Sequence, residues 1–503
     1  MKSKRASGIL LHPTSLPGPY GIGEIGPKAI AWLDYLASTG CSLWQVLPLG
    51  PTGYGDSPYQ SFSAFAGNPY LISLELLLEE GLLEAEDLQD MPEFPVDAVD
   101  YGSLIPWKLA VLDRAYQRFL ALGDQQLHQE MELFRKQKAH WLDDFSLFMA
   151  LKEAQGGISW SEWPRPLRLR DAHTLQQARR EYQAAIERQV FRQFIFFRQW
   201  SAIRKYAGEK GITIIGDIPI FVAHDSADVW ANIHLFYMDE EGQPTVVAGV
   251  PPDYYSPTGQ LWGNPLYRWR DHARTEYEWW LSRFRSVLEM VDIIRLDHFR
   301  GFAGYWEVPG GSPTAENGRW VPGPGMHFFK VVKEKLGDLP IIAEDLGVIT
   351  DDVIEIRDGF NLPGMKVFQF AFWTDPSDLF MPHNYQENFV AYTGTHDNDT
   401  LLGWYRTAPK HEQEFCMRYL ENDGERDLTN KVLRILWGSV AMFTLAPMQD
   451  FLGLGSEARM NFPGKPSGNW GWRMQASAMS DTLRLRLKDL NYLYNRDRSQ
   501  SEE

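Results

Sequence analysis

Cysteine is scarce in this sequence, and so is clustered positive charge. The chain of 503 residues has two cysteines, Cys41 and Cys416, which stand far apart and in no metal-ligand spacing. Neither a disulfide framework nor a zinc knuckle is therefore expected. The formal net charge is −17, and Lys and Arg form no cluster. Nucleic acid and anionic membrane surfaces are disfavoured as partners, because both require basic residues that neutralise phosphate groups.

Long apolar runs are missing as well. Residues 435–448 form the longest apolar region, but Gly438, Ser439 and Thr444 interrupt it and it is too short to span a bilayer. The basic N-terminus has only a short apolar run before His12, which is too little for a signal peptide. We therefore expect a cytoplasmic protein with no membrane partner.

Signatures of cofactor chemistry are also lacking. No P-loop or glycine-rich dinucleotide motif precedes a helical pattern, and no His or Cys cluster has catalytic-zinc spacing. We expect neither a metal nor any other cofactor. Hydrophobic residues make up 44% of the chain and charged residues 23%, which is the composition of an ordinary globular protein.

Eight short apolar runs, each ending in polar residues or glycine, recur along the chain. Buried parallel strands read as continuous apolar runs. Eight units of a strand followed by a helix predict the α/β class and a (β/α)8 TIM barrel, whose site lies at the C-terminal ends of the strands. The predicted strands are residues 8–12, 43–49, 212–221, 291–299, 340–346, 365–372, 389–395 and 442–450.

Two long segments do not fit the barrel units and are predicted insertions. Residues 75–187 are rich in Leu, Glu, Gln, Lys and Arg with helical periodicity, which indicates a mainly helical insertion. Residues 223–270 contain many glycines and prolines, which favour irregular structure. Long loops in compact domains are commonly lids. We expect residues 1–503 to form one catalytic unit with a lid loop in the second insertion.

Acidic residues interrupt or terminate four of the predicted strands. A carboxylate that follows several Ile or Val residues is costly to bury unless it is paired or faces a cavity. Four such carboxylates at equivalent strand ends therefore indicate one shared site, although each one alone could be a cap or turn residue. The four are Asp217, Asp297, Glu344 and Asp397.

Two of these carboxyl groups are expected to differ in protonation. Arg295 and Asp297 share one face of an extended strand, and the guanidinium keeps the aspartate ionised and suited to nucleophilic attack. A structural ion pair at a strand end would give the same pattern. Glu344 follows an apolar stretch that can raise its pKa for acid work. One ionised and one protonated carboxyl group are what glycoside chemistry requires, with the two roughly 5 to 5.5 Å apart in a retaining enzyme.

Other residues are candidates for holding a sugar. We expect His396 and Asp397 to bind sugar hydroxyls, although His298 and His396 could equally be ordinary polar residues that satisfy backbone groups. Rigid aromatic rings on loops suit sugars, which have apolar faces and polar edges. The loop aromatics are Tyr54, Tyr59, Tyr254, Tyr255, Trp262, Trp470 and Trp472.

Seven motifs in a fixed order give the chain a family resemblance. They are WQVLPLGPTGYGDSPYQ, GDIPIFV, GVPPDYYSPTGQLWGNPLY, IRLDHFRGF, AEDLG, GTHDNDT and ARMNFPGKPSGNWGWR. Together they resemble glycoside hydrolase family 77, the 4-α-glucanotransferases or amylomaltases. The resemblance implies a barrel with helical insertions but without the C-terminal β-sandwich domain of the related α-amylases.

The resemblance also assigns roles to single residues. It implies that Asp297 is the nucleophile, Glu344 the general acid/base and Asp397 the transition-state carboxylate. The residues expected to bind substrate are Tyr59, Asp217, Asp253, Tyr254, Gln260, Trp262, Arg295, His298, His396 and Asn469. Tyr255 replaces the phenylalanine expected in relatives, which leaves ring stacking available.

The expected reaction is transfer of a segment of an α-1,4-glucan to the 4-hydroxyl group of an acceptor glucan or glucose, with net retention. The partners are then α-1,4-glucans and maltooligosaccharides, and the protein is a monomer or a weak homo-oligomer. An α-1,4-glucan hydrolase with the same carboxylates is the main alternative. A noncatalytic glucan-binding protein is a third, which the presence of all three acids disfavours.

Overall fold

The computed structural model describes residues 5–252, 256–465 and 467–497, and these form twelve strands. The strands are β1 (Ala6–Leu10), β2 (Leu43–Gln45), β3 (Thr213–Pro219), β4 (Val246–Val250), β5 (Gln260–Pro265), β6 (Ile293–Asp297), β7 (Gly304–Pro309), β8 (Arg319–Pro322), β9 (Ile341–Ala343), β10 (Gly364–Val367), β11 (Phe389–Tyr392) and β12 (Phe443–Pro447).

Eight of these strands form one parallel sheet in the order β10-β11-β12-β1-β2-β3-β6-β9. Each of the eight predicted runs contains one of them or overlaps it, so the predicted barrel is confirmed. The ends of the sheet meet where the backbone N–H of Ala343, in β9, donates to the carbonyl of Pro363, just before β10, at 2.8 Å. The interior of the barrel is apolar, because residues such as Leu43, Ile215 and Val390 are fully buried there.

Helices surround this sheet. The described helices are α1 (Pro27–Ser38), α2 (Leu74–Glu79), α3 (Tyr101–Leu122), α4 (Gln125–Ala154), α5 (Arg165–Arg168), α6 (Ala172–Glu181), α7 (Gln183–Glu209), α8 (Ala227–Ala231), α9 (Trp269–Arg274), α10 (Glu278–Met290), α11 (Gly325–Leu336), α12 (Asp351–Gly359), α13 (Leu401–Thr407), α14 (Lys410–Leu420), α15 (Leu428–Gly438), α16 (Met448–Leu452) and α17 (Asp481–Leu493).

The segment between β2 and β3 is helical over most of its length. Asp100 and Asp124 directly precede the long helices α3 and α4, and their side chains accept hydrogen bonds from backbone N–H groups of the first turn. Such caps satisfy donors that a helix leaves free. Helix α7 packs against both α3 and α4 and then leads into β3, as expected of a barrel helix.

The second insertion differs from the sequence expectation of irregular structure. Strands β4 and β5 within it join β7 and β8 in an antiparallel sheet of order β5-β4-β7-β8. The prolines that argued against strands lie where strands end: Pro251 follows β4 and Pro265 closes β5. The small sheet has its own apolar cluster of Val247, Val308 and Ala315.

After β12, the described residues form helices α16 and α17 and no further strand. This agrees with the expected lack of a β-sandwich over that part of the chain. Among the described helices, none is both long and apolar enough to cross a membrane.

Candidate active site

The predicted carboxylates lie at one end of the barrel. Asp217 belongs to β3 and is paired in register with Arg295 of β6, while Asp297 is the last residue of β6. Glu344 directly follows β9, the next strand of the sheet. The C-terminal ends of neighbouring parallel strands meet at the same face of a barrel, so these side chains converge.

Arg295 links two of the carboxylates. Its Nη1 donates to Oδ2 of Asp217 at 2.6 Å and to Oδ1 of Asp297 at 2.8 Å. The side chains of Arg295 and Asp217 are buried, whereas that of Asp297 is 27% exposed. Burial raises the pKa of Asp217 to about 6 against the attraction of Arg295. Asp217 is thus ionised at neutral pH, and Asp297 is the carboxylate of this group that reaches solvent.

Glu344 has the opposite electrostatic environment. Burial, and then the nearby charge of Asp297, raise the pKa of Glu344 to about 8. Arg295 and two backbone N–H groups oppose this rise: His298 donates to Oε2 at 2.7 Å and Leu346 donates to Oε1 at 2.9 Å. Glu344 therefore carries a proton at neutral pH, as a general acid must.

His298 has a backbone conformation that suits this contact. Its φ of 51° and ψ of 47° lie in the left-handed region, which is uncommon for residues other than glycine. The turn comes immediately after Asp297, and the N–H group of His298 reaches Glu344. Residues held in such uncommon backbone conformations are often found at active sites, where the surrounding structure holds the strain. Burial lowers the pKa of the imidazole to about 4, so the ring is neutral at neutral pH.

Tyr59 connects Asp217 with His396. Its hydroxyl group donates to Oδ2 of Asp217 at 2.9 Å and lies 3.3 Å from Nδ1 of His396. The two rings are stacked with centroids 4.7 Å apart, and Trp470 packs against both. Trp470 was noted in the sequence as a loop aromatic and not as a site residue. The structure brings it to the site in a left-handed backbone conformation with φ of 63°.

Asp397 lies in the loop after β11 and is half-exposed. Its Oδ1 accepts a hydrogen bond from Nδ2 of Asn461 at 2.6 Å and lies 3.4 Å from Nε2 of His396. Arg459 donates to the backbone carbonyl of Asp397 at 2.7 Å. Asn461 and Arg459 were not among the predicted site residues. Both belong to the ARMNFPG motif, which was the available signal.

A cavity of about 630 Å³ lies against several of these residues; Asp217, Arg295 and Glu344 are not among the described residues that line it. Asp297 and Asp397 both line it. The other predicted residues that line it are Tyr59, Gln260, Trp262, His298, His396 and Asn469. Trp262 packs edge-to-face on His298 with ring centroids 4.7 Å apart, and its Nε1 donates to Oε1 of Gln260 at 3.2 Å. The small sheet therefore contributes one wall of the cleft.

Asn469 reaches the cavity, but its amide group already has partners in the same loop. Its Oδ1 accepts from the backbone N–H of Phe462 at 2.9 Å, and its Nδ2 donates to the carbonyl of Lys465 at 3.0 Å. Asp253, Tyr254 and Tyr255 lie outside the described residues. Among the residues that the structure does describe, no group of three or more His, Cys, Asp or Glu side chains is placed to hold a metal ion.

Comparison with known proteins now assigns the family. The sequence profile of glycoside hydrolase family 77, described as 4-alpha-glucanotransferase, matches residues 11–479. The chain belongs to this family. The resemblance seen in the motifs is confirmed, and membership of family 77 makes the chain a glucan-transferring enzyme that acts on α-1,4-glucans and maltooligosaccharides.

Relatives from family 77 are similar over nearly the whole length. The 4-alpha-glucanotransferase of Thermus thermophilus is 52% identical over 97% of this chain and 98% of its own. The chloroplastic/amyloplastic 4-alpha-glucanotransferase of Solanum tuberosum is 44% identical over 97% of this chain and 85% of its own. The structure of the amylomaltase from Streptococcus agalactiae in complex with acarbose has a TM-score of 0.95 at 41% identity, covering 98% of this chain and 100% of that one.

Proposed function

We propose that the enzyme breaks and remakes α-1,4-glucosidic bonds by double displacement, with Asp297 as nucleophile and Glu344 as general acid/base. The observation that carries the proposal is the contrast between two neighbouring carboxyl groups. Asp297 is paired with Arg295 at 2.8 Å, whereas the pKa of Glu344 is raised to about 8, by burial first and then by the charge of Asp297. A retaining glycosidase needs this combination at a separation of roughly 5 to 5.5 Å.

The first displacement forms a covalent intermediate. A carboxylate oxygen of Asp297 attacks the anomeric carbon of the donor while Glu344 protonates the departing glycosidic oxygen, so the reducing-side fragment leaves as an alcohol. The sugar remains as a β-glucosyl ester of Asp297. In the second displacement, ionised Glu344 removes the proton from the 4-hydroxyl group of the acceptor, which attacks the anomeric carbon and releases Asp297. Two inversions give net retention.

The other site residues hold the sugar during these steps. In this proposal, Asp397 and His396 bind sugar hydroxyls and stabilise the distorted ring. Asp217 holds Arg295 in place by a hydrogen bond of 2.6 Å. Tyr59 positions His396, whose Nδ1 lies 3.3 Å from the tyrosine hydroxyl group. The remaining residues proposed to contact the glucan are Asp253, Tyr254, Gln260, Trp262, His298 and Asn469.

Transfer rather than hydrolysis requires that an acceptor sugar compete with water. We propose that residues 223–270 act as a lid that binds the acceptor and excludes water, which raises the effective concentration of the acceptor. The wall formed by Gln260 and Trp262 supports this. Residues 75–187 serve as a helical insertion in the same catalytic unit, with helix α4 packing against α7 and α8.

Incubation with maltotriose tests the function. Transfer gives glucose together with maltooligosaccharides longer than maltotriose, and a ladder of such products by chromatography is the expected result. The hydrolase alternative gives only shorter products. A product mixture confined to glucose and maltose would overturn the proposal.

We propose that the enzyme works in the cytoplasm as a monomer or weak homo-oligomer. Its cysteines, Cys41 and Cys416, are buried free thiols, which suits a reducing compartment. Light scattering during size-exclusion chromatography at several concentrations tests the oligomeric state. A single stable higher oligomer at all concentrations would contradict it.

A further inference from the structure

The barrel has one weakly joined seam, and Glu344 stands beside it. As far as the structure describes the sheet, its strand ladder ends at β9 on one side and β10 on the other. The N–H group of Ala343 crosses the seam to the carbonyl of Pro363 at 2.8 Å. On the opposite side, the N–H group of Glu344 is held by the carbonyl of Leu296 in β6 at 3.0 Å. Strand β9, which Glu344 directly follows, therefore has a strand ladder on one side only, with β6.

The side chain of Asp345 makes a second connection across this seam. Its Oδ1 accepts a hydrogen bond from the backbone N–H of Met365 in β10 at 2.7 Å. Its Oδ2 accepts one from Nη1 of Arg357 in α12 at 2.6 Å. The Asp345 side chain is only 3% exposed. A carboxylate thus takes the place that a strand carbonyl fills in an ordinary ladder, and both of its oxygens are bonded.

Gly364 leaves room for this contact. A Cβ atom at position 364 would lie 2.5 Å from Oδ2 of Asp345 and 2.6 Å from the ring of Phe389. A methyl group there would push the carboxyl group of Asp345 away from Met365 and Arg357, or the ring of Phe389 away from β10. The absence of a side chain at the start of β10 therefore leaves space for the carboxyl group of Asp345, two residues after β9.

The charges around Asp345 suit a permanent connection. Burial raises the pKa of Asp345, while the N–H group of Met365, the guanidinium of Arg357 and the ammonium group of Lys366 lower it. The guanidinium of Arg357 lies 2.6 Å from Oδ2 of Asp345, and hydrogen bonds in which a partner is charged are stronger than neutral ones. Arg357 also contacts Asp358, which lies on the exposed side of α12.

We propose that Asp345 is a positioning residue that closes the barrel seam and thereby holds Glu344 in place for proton transfer. This inference rests on the proposed role of Glu344 as the acid/base. Leu346, on the other side of Asp345, donates to Oε1 of Glu344 at 2.9 Å. When Asp345 is released from Met365, residues 344–346 shift. Both the backbone and the carboxyl group of Glu344 then move. A misplacement of about 1 Å at a reacting group can cost about 10²-fold in rate.

Two donor substrates, maltotriose and α-maltosyl fluoride, distinguish the acid-catalysed step from nucleophilic attack. Maltotriose needs a proton on its departing oxygen. With α-maltosyl fluoride, Asp297 forms the same ester while the carbon–fluorine bond breaks and fluoride leaves with the electron pair, which needs little help from an acid. The measurements are the first-turnover rates of fluoride release and of glucose release from maltotriose. A general acid contributes about 10²- to 10⁴-fold, so a displaced acid affects maltotriose selectively.

The central variants are Asp345→Ala and Asp345→Asn. We expect Asp345→Ala to lower the maltotriose rate by about 10-fold or more while fluoride release stays within about 3-fold of the parent. Asp345→Asn keeps an oxygen that can accept from Met365, so we expect it to restore most of the maltotriose rate. Equal losses on both donors, or no loss with maltotriose, would overturn the inference.

Two further variants keep the test decisive. If Asp345→Ala does not fold, Gly364→Ala displaces the Asp345 carboxylate without removing it and is expected to show the same selective loss; equal losses on both donors would again overturn the inference. Asp358→Asn removes the exposed partner of Arg357 and is the matched control, expected to behave as the parent on both donors. A selective loss in that control would contradict the inference.

Glu344→Gln separates this inference from the proposed function. If Glu344 is the acid, Glu344→Gln loses about 10²-fold or more with maltotriose but retains first-turnover fluoride release. If this variant shows no selectivity between the donors, the proposed function fails. If it shows selectivity and Asp345→Ala does not, only the role of Asp345 fails.

Discussion

Asp217 and Asp297 share a single nitrogen atom, Nη1 of Arg295, at 2.6 Å and 2.8 Å. Two carboxylates facing one guanidinium leave this part of the site with excess negative charge. Burial is the main reason that the pKa of Glu344 is raised, and the charge of Asp297 adds to it. Arg295 therefore holds Asp297 in place beside Glu344 by a hydrogen bond of 2.8 Å.

Asp217→Asn should weaken catalysis without dismantling the cleft. The variant keeps the shape of the side chain but leaves Arg295 with Asp297 as its ionic partner, which draws the guanidinium towards the nucleophile and frees Tyr59. A hydrogen bond to a charged group is worth about 1.5–3 kcal/mol, so we expect kcat to fall by about 10- to 100-fold. Initial rates with maltotriose measure this.

The control for that variant breaks a similar ion pair elsewhere. Asp113 of α3 accepts from Nη2 of Arg192 in α7 at 2.6 Å, and Asp113→Asn should lower thermal stability slightly and leave kcat near the parental value. A comparable loss of kcat in both variants would show that the effect of Asp217 is not specific to the site.

Asp297→Asn should abolish transfer while leaving glucan binding intact. The amide is isosteric with the carboxylate but is a poor nucleophile, so we expect a loss on the order of 10⁴-fold or more in the rate of ladder formation. Calorimetric titration with maltooligosaccharide checks that binding remains. Asp292→Asn is the matched control, because Asp292 precedes the other end of β6 and accepts from the N–H of Ile214 at 2.8 Å. Full activity of Asp297→Asn would refute the nucleophile assignment.

The pH dependence of kcat/KM should show an alkaline limb at about pH 8. Glu344 must be protonated to act as an acid, and its pKa of about 8 keeps it protonated below that pH and ionised above it. We expect activity to fall about tenfold per pH unit above the limb. A profile measured with maltotriose from pH 5 to about 10 tests this, and an alkaline limb near the ordinary glutamate value would contradict it.

Loss of the Asp297 charge should lower the pKa of Glu344. In Asp297→Asn the repulsion that raises the pKa of Glu344 is gone, while Arg295 still lowers it. We expect a lower pKa in this variant, measurable by carbon-13 NMR of labelled glutamate. The same change accompanies formation of the glucosyl ester in the proposed mechanism, which would let Glu344 act as a base in the second step. An unchanged or higher pKa would contradict this.

The barrel could be predicted because its pattern is local. Buried strands such as β3 (TIIGDIP) and β6 (IIRLD) are rich in Ile and Leu, and each run is visible without knowledge of its neighbours. The convergence of Asp217, Asp297 and Glu344 followed from the same pattern, since parallel strands end at one face. Strand β4 was missed because its partner β7 is distant in sequence, and β5, which pairs with β4, lies in a segment rich in glycine and proline.

Some parts of the site depend on contacts that no local pattern reveals. The side chain of Asn461 reaches Asp397 across 64 positions of sequence. The left-handed conformation of His298 is likewise invisible from residue type, because histidine only occasionally adopts it. The contact between Asp345 and Met365 replaces a strand ladder with a side chain, so strand propensity does not predict it.

Trp262→Ala should shift the enzyme from transfer towards hydrolysis. Trp262 lines the cavity and packs edge-to-face on His298, a contact worth about 0.5–1.5 kcal/mol. Its loss opens the cleft to water and weakens one wall of the acceptor site. We expect the ratio of hydrolysis to transfer to rise by about 2- to 10-fold, measured as the gain of reducing ends against the gain of long products from maltotriose.

Trp320→Ala provides the comparison for that shift. Trp320 belongs to β8 of the same small sheet, is exposed, and stacks on the guanidinium of Arg300 at 3.9 Å. It is not one of the described residues that line the cavity. Its removal takes away a tryptophan from the same sheet without opening the cleft, so the ratio should stay at the parental value. An equal rise in the ratio of hydrolysis to transfer in both variants would contradict this prediction. It would mean that the stability of the small sheet, and not the wall at Trp262, determines how well water is excluded.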